Sequence, residues 1–157
     1  MAEREGADSS LTATRDTTAT RQRVWDVIAD GWTYSQWVVG NSRMRAVDKN
    51  WPAPGSTIQH SIGAWPLVID DETVAEKSEP EGELVLLAKT GPLGSQRVTL
   101  RLSDIPNGCR VEMSEAPASG PMNLLPDRLA AVALDIRNRE CLWRLENLAK
   151  HRDPSEL

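Results

Sequence analysis

The chain has no phenylalanine and a single tyrosine, Tyr34, so its aromatic bulk rests on six tryptophans. It has only two cysteines, Cys109 and Cys141, with no second pair, which excludes both a disulfide framework and a zinc cluster. Two reduced, partly buried thiols are expected instead. Positive charge is in deficit: 18 Lys and Arg stand against 23 Asp and Glu, a net charge of −5. The broad basic surface that neutralises phosphates is therefore not expected, nor is a nucleic-acid partner. The opening MAEREGADSS is charged with no apolar run behind it, so it carries neither a secretory signal nor a spanning helix. A cytoplasmic location without membrane insertion follows as the expectation. There is no Gly-rich phosphate loop, no nucleophile elbow, and no Ser or Cys with a recognisable base nearby. No cofactor and no metal site are expected.

What is present is the composition of one folded domain. A chain of 157 residues with 26% charged and 39% hydrophobic residues is long enough to bury a core without staples. The domain is expected over residues 10–152, between a disordered arm at 1–9 and a disordered tail at 153–157. A monomer or a homodimer is compatible with this organisation.

Leu11 to Ala19, LTATRDTTA, is rich in threonine and weakly alternating, which predicts an exposed or edge strand. The period then changes. Val24, Val27 and Ile28 fall at i, i+3 and i+4, predicting a short amphipathic helix capped by Thr18 or Thr20 and ended by Gly31. YSQWV follows too closely for an independent helix and adds a turn or two. From Asn41 to about Pro117 short alternating runs are separated by turn clusters, predicting six strands joined as an antiparallel meander. In that sheet Ile58, His60 and Ile62 share one face, as do Val98, Leu100 and Leu102. Roughly Asp127 to His151 then reads as one long helix, with Pro126 at its first position and a length of about 36 Å. Leu129, Val132, Ala133 and Ile136 make one stripe; Leu134, Cys141, Leu145 and Leu148 continue on a face taken to be slightly rotated from it.

The order of strand, two short helices, six strands and long helix, with TATRDTTATRQRVWDVIADGWTYSQWV near the start, VIDDETV in the middle strands and RNRECLWRLENLAKHR in the last helix, resembles the START-like or helix-grip superfamily, SRPBCC. The likeness is to its polyketide cyclase/dehydrase-like branch of small bacterial proteins. That resemblance implies an α+β helix-grip fold: a seven-stranded antiparallel sheet curled around the C-terminal helix, two short helices between strands 1 and 2, and an apolar cavity between sheet and helix. Trp32, Tyr34 and Trp37 would then lie at the cavity wall or its mouth.

His60 is the polar residue that stands out, flanked by Ile58 and Ile62 on the apolar side of its strand. It is either a satisfied core histidine or a group that fixes a polar ligand end or moves a proton. Asp70 and Glu72 of the DDE run share a side and read as a solvated face. Arg97, Arg101 and Arg110 read as exposed strand positions. The expected lining is Trp37, Met44, Ile58, His60, Ile62, Leu100, Met113, Leu129, Val132, Ala133 and Ile136. The expected function is binding of a small hydrophobic or aromatic molecule, lipid or polyketide-like. The alternative is an aromatase, cyclase or dehydratase with His60 as acid or base and Tyr34 as its partner, catalysing mainly by holding a reactive chain in one geometry.

Overall fold

The computed structural model describes residues 11–120 and 127–152. The arm expected at 1–9, the tail expected at 153–157 and Pro126 lie outside the described residues. Seven strands run as β1 (Leu11–Thr17), β2 (Asn41–Val47), β3 (Thr57–Ala64), β4 (Leu67–Glu79), β5 (Glu83–Lys89), β6 (Ser95–Ile105) and β7 (Gly108–Ser119). Among the described residues three helices accompany them: α1 (Arg21–Ala29), α2 (Tyr34–Trp37) and α3 (Asp127–His151), with 3₁₀ turns at Gly31–Thr33 and Gly91–Leu93. The sheet order is β1-β7-β6-β5-β4-β3-β2, and every pairing is antiparallel. This is the α+β helix-grip layout that the element order implies.

Local chemistry sets the boundaries. The first strand stops at Thr17, two residues short of the expected Ala19, because the Thr17 hydroxyl accepts from the Ala19 amide at 3.1 Å and turns the chain. Thr20 then caps α1 by accepting from the Arg23 amide at 3.2 Å, satisfying one of the helix's free donors. Val24, Trp25, Val27 and Ile28 form its buried face. The helix is ended by Asp30 rather than Gly31: Asp30 closes α1 and its carboxylate accepts from Trp32 N at 3.1 Å, opening the 3₁₀ turn. Gly31 is needed for space instead, since a Cβ there would stand 2.6 Å from Val47 Cγ1. Gly63 has a φ of 96°, and a Cβ on it would meet Leu67 O at 2.2 Å; a glycine is required where β3 approaches its hairpin.

The sheet's concave face meets α1, α2 and α3 over one core that includes Val24, Ile28, Ile58, Leu100, Val111, Cys141, Leu142 and Leu145. Cys109 and Cys141 are free and buried. The opposite face is laced by ion pairs: Arg97 with Glu76 and Arg101 with Glu83, each at 2.6 Å, and Arg110 with Asp16 at 2.7 Å. These contacts are largely exposed and contribute little to stability.

One expectation for α3 is corrected. At 100° per residue the stripe Leu129, Val132, Ala133, Ile136 lies roughly 140° around the helix from Leu134, Cys141, Leu145 and Leu148, so the two are nearly opposite faces. Only one can meet the sheet. The longer stripe does, with Asn138, Cys141, Leu142, Leu145 and Ala149 buried. Leu129, Val132 and Ile136 remain 74%, 59% and 63% exposed, and Ala133 is exposed with them.

Candidate functional site

Between the sheet and the N-terminal half of α3 lies a cavity of about 320 Å³. Val38, Ile62, Leu86, Val98, Met113 and Leu134 supply much of its apolar wall, and Tyr34 and Trp37 of α2 close one side. Their rings meet edge to face, with centroids 5.4 Å apart and planes at 73°, the favourable arrangement of ring quadrupoles. The concentration of rings at the second short helix thus builds a cavity wall, although Trp32 points to solvent at 55% exposure.

The expected lining residues divide into three sets. Trp37, His60, Ile62 and Met113, together with Tyr34, line the cavity. Ile58 and Leu100 are buried, and Met44 half-buried, in the packed core rather than on its wall. Leu129, Val132, Ala133 and Ile136 face away from the sheet for the angular reason given above.

Polar groups on the wall were only partly legible. His60 sits opposite Asp71, and Ile58 opposite Thr73, in the β3–β4 register, which turns all four side chains to the concave face. His60 Nε2 is 2.9 Å from Thr73 Oγ1, and the Tyr34 hydroxyl is 3.5 Å from the same oxygen. Burial pushes the Tyr34 phenol up to about 12, so it stays protonated. Thr73 Oγ1 can donate to or accept from either neighbour, and the imidazole tautomer follows its direction: with Thr73 donating to His60 Nε2, Nδ1 carries the proton; with Nε2–H donating to Thr73, Nδ1 is bare. Burial, aided by the charge of Arg45, brings the imidazole down to about 4, so the ring is neutral near pH 7. Asp71 Oδ1 accepts from the Glu72 amide at 2.7 Å. Burial raises the Asp71 carboxyl to about 6.

A register shift between Met44 and Ala46 on β2 leaves Arg45 as an extra residue, the geometry of a bulge that re-aims a side chain. Its guanidinium donates to the carbonyls of both His60 and Asp71 at 3.0 Å. The facing strand positions are thereby held from behind.

Across the cavity, Glu115 on β7 is 2% exposed and accepts from Arg137 Nη1 at 2.6 Å. Burial pushes the Glu115 carboxyl up while the guanidinium pulls it back. Arg137 Nε also donates to Val39 O at 3.1 Å, tying α3 to the segment after α2. Asp71, Glu115 and Arg137 were missed at the sequence level. Val111, Met113 and Glu115 alternate on one face of β7, and Arg137 lies beside Leu134 and Cys141 on α3, so the period signals were present. Asp71 was hidden because its partner on β3 sets its facing, and pairing register is not written in β4 alone.

Several wall residues carry an atom without a protein partner: Trp37 Nε1, Asn41 Oδ1, His60 Nδ1, Asp71 Oδ2 and Glu115 Oε2 are buried and unpartnered. Among the described residues no group of three His, Cys, Asp or Glu comes together as a metal set, and no helix is long and apolar enough to cross a membrane.

An antiparallel sheet gripping one long helix over a lined hollow defines a helix-grip protein of the START-like, SRPBCC class. The chain belongs to the family described as polyketide cyclase / dehydrase and lipid transport, which it matches over residues 9–150. No curated protein matches it. Among solved structures it is similar to a protein of Rhodobacter sphaeroides, with 20% identity, a TM-score of 0.74, and 95% of this chain and 97% of that one covered. It is similar to the di-domain ARO/CYC StfQ from the steffimycin biosynthetic pathway at 10% identity and a TM-score of 0.67, covering 91% of this chain and 51% of that one. Ara h 8.0201 gives 8% identity and a TM-score of 0.65, with coverage of 89% and 96%. At these identities the likeness is one of fold. The family is one of hydrophobic-ligand binding or polyketide cyclase-type function.

Proposed function

We propose that residues 10–152 form a cytoplasmic binding protein that holds a small hydrophobic or aromatic molecule, lipid or polyketide-like, between the sheet and α3. The observation that carries this reading is the cavity itself: about 320 Å³, within the size range of small-molecule sites, walled mainly by apolar side chains with a few converging polar groups. Burial of the ligand's apolar surface supplies affinity at roughly 25 cal/mol per Å² before association costs. Two free, buried thiols support a reducing compartment. Native mass spectrometry of the protein as purified, with and without added apolar compounds, tests the reading. A noncovalent mass that disappears on denaturation supports it; no adduct across a broad panel overturns it.

A second reading, an aromatase, cyclase or dehydratase, rests on His60. Its ring is neutral near pH 7 and held through Nε2 by Thr73, and Nδ1 has no partner, so one nitrogen is left to meet a substrate group. On this reading His60→Ala abolishes turnover of a polyketide-like substrate while the protein stays folded and still binds it. Unchanged turnover removes the reading.

A further inference from the structure

The unpartnered atoms on the cavity wall have a chemistry that apolar burial alone leaves unexplained. A buried polar atom without a partner costs its full desolvation, and five such atoms belong to residues of a single cavity. They differ in kind. On the β3–β4 side stand a nitrogen, His60 Nδ1, and a carboxylate oxygen, Asp71 Oδ2. Elsewhere on the wall stand the indole N–H of Trp37 on α2, the amide oxygen Asn41 Oδ1 at the start of β2 and the oxygen Glu115 Oε2 on β7. His60 and Asp71 are directly opposite in the strand register, yet no hydrogen bond joins them, and both are held from behind by Arg45.

Resting on the binding function above, we propose that the ligand is a neutral hydroxylated ring compound, of phenol or enol type, whose hydroxyl sits between His60 Nδ1 and Asp71 Oδ2.

A hydroxyl is the small group that donates and accepts at once. With the Thr73 hydroxyl donating to His60 Nε2, the imidazole presents Nδ1–H, and the ligand hydroxyl accepts from it while donating to the Asp71 oxygen. An ether or ketone satisfies His60 alone and leaves Asp71 bare. A carboxylate in the same place is worse, because it brings an anion against Asp71, while Arg137 lies across the cavity with its charge already paired with Glu115. The site therefore selects against fatty acids although its walls are apolar. Specificity built this way is strong, since an analogue lacking the hydroxyl leaves two buried groups unpaired.

The test titrates the full chain, stripped of bound molecules, with 2-naphthol, naphthalene and 2-naphthoate at pH 8 by calorimetry. 2-Naphthol is expected to bind at least tenfold more tightly than either of the others. In Asp71→Leu that advantage is expected to fall below threefold, with naphthalene binding at least as well as to the wild type. Should Asp71→Leu fail to fold, the wild-type series decides alone. Naphthalene within threefold of 2-naphthol overturns the hydroxyl site and leaves the cavity reading standing. Tightest binding of 2-naphthoate overturns the exclusion of anions and with it the proposal. If none of the three binds, the proposal falls, and the cavity reading is decided by the broader panel above.

Discussion

Thr73 on β4 holds the imidazole of His60 on β3 at 2.9 Å between Oγ1 and Nε2, and neither side chain is more than 3% exposed. The threonine hydroxyl lies between the imidazole and the Tyr34 phenol, so three residues from two strands and a short helix meet at one oxygen.

Thr73→Val keeps the shape and removes that oxygen, leaving the His60 nitrogen and the Tyr34 hydroxyl buried without a partner. Each such group costs about 1–3 kcal/mol, and the expected loss in urea denaturation is about 2 kcal/mol, largely recovered in Thr73→Ser. A loss below about 0.5 kcal/mol would show that the imidazole finds another partner.

Asp71 and His60 pull stability in opposite directions with pH. The Asp71 carboxyl is raised from 3.8 to about 6 by burial, so its contribution is full below 3.8 and is lost as pH rises through 6. His60 is lowered from 6.5 to about 4, so its contribution is present above 6.5 and lost as pH falls through 4. Asp71→Asn removes the first effect alone. The variant should gain on the wild type as pH rises from 4 to 7, by about 3 kcal/mol at most, in a series of melting temperatures. A constant difference across that range would mean that Asp71 titrates as an exposed carboxylate.

The strands and helices were legible because each carries its own period and punctuation. Five turn clusters separate β2 to β7, and Asp127 to His151 is apolar at helical spacing throughout. The facing of α3 was not legible by stripe alone: two apolar stripes compete, and the sheet selects the one that continues through Cys141, Leu142 and Leu145 to the helix end. The same limit applied to the site. His60 could be placed on the concave face from Ile58 and Ile62 on its own strand. Asp71, however, needed the β3–β4 register, and the Glu115–Arg137 contact needed α3 docked across β7.

That contact makes an asymmetric prediction. Arg137→Met strips the partner from a carboxylate that is 2% exposed, and breaking a buried pair in this way costs about 3–5 kcal/mol. Glu115→Gln leaves a guanidinium whose side chain is 33% exposed and which retains Val39 O, so its cost should be about half as large or less. The double variant Glu115→Gln with Arg137→Met should recover much of the loss seen in Arg137→Met. Equal costs for the two single changes, measured by chemical denaturation, would contradict the one-sided burial.

Gly31→Ala tests the packing that brings the 3₁₀ turn against β2. The added methyl would stand 2.6 Å from Val47 Cγ1 and 3.1 Å from both Ile58 Cγ2 and Trp51 Cδ1. Overpacking of this kind costs about 1–3 kcal/mol, and the melting temperature should fall accordingly. An unchanged melting temperature would mean that the turn moves freely away from Val47.

Two tryptophan substitutions separate the wall of the cavity from the outer face of α3. Ala88 on β5 lines the hollow, so Ala88→Trp fills space that a ligand needs and should weaken uptake of an apolar probe at least tenfold. Ala133, expected from its stripe to line the same cavity, instead faces solvent, and Ala133→Trp should leave affinity within about twofold, the range of a neutral surface change. Both are read by calorimetry on variants shown to be folded by near-ultraviolet circular dichroism. The opposite pattern, with Ala133→Trp blocking uptake and Ala88→Trp silent, would mean that the ligand binds against the exposed Leu129, Val132 and Ile136 stripe. The hollow between sheet and helix would then have no part in holding it.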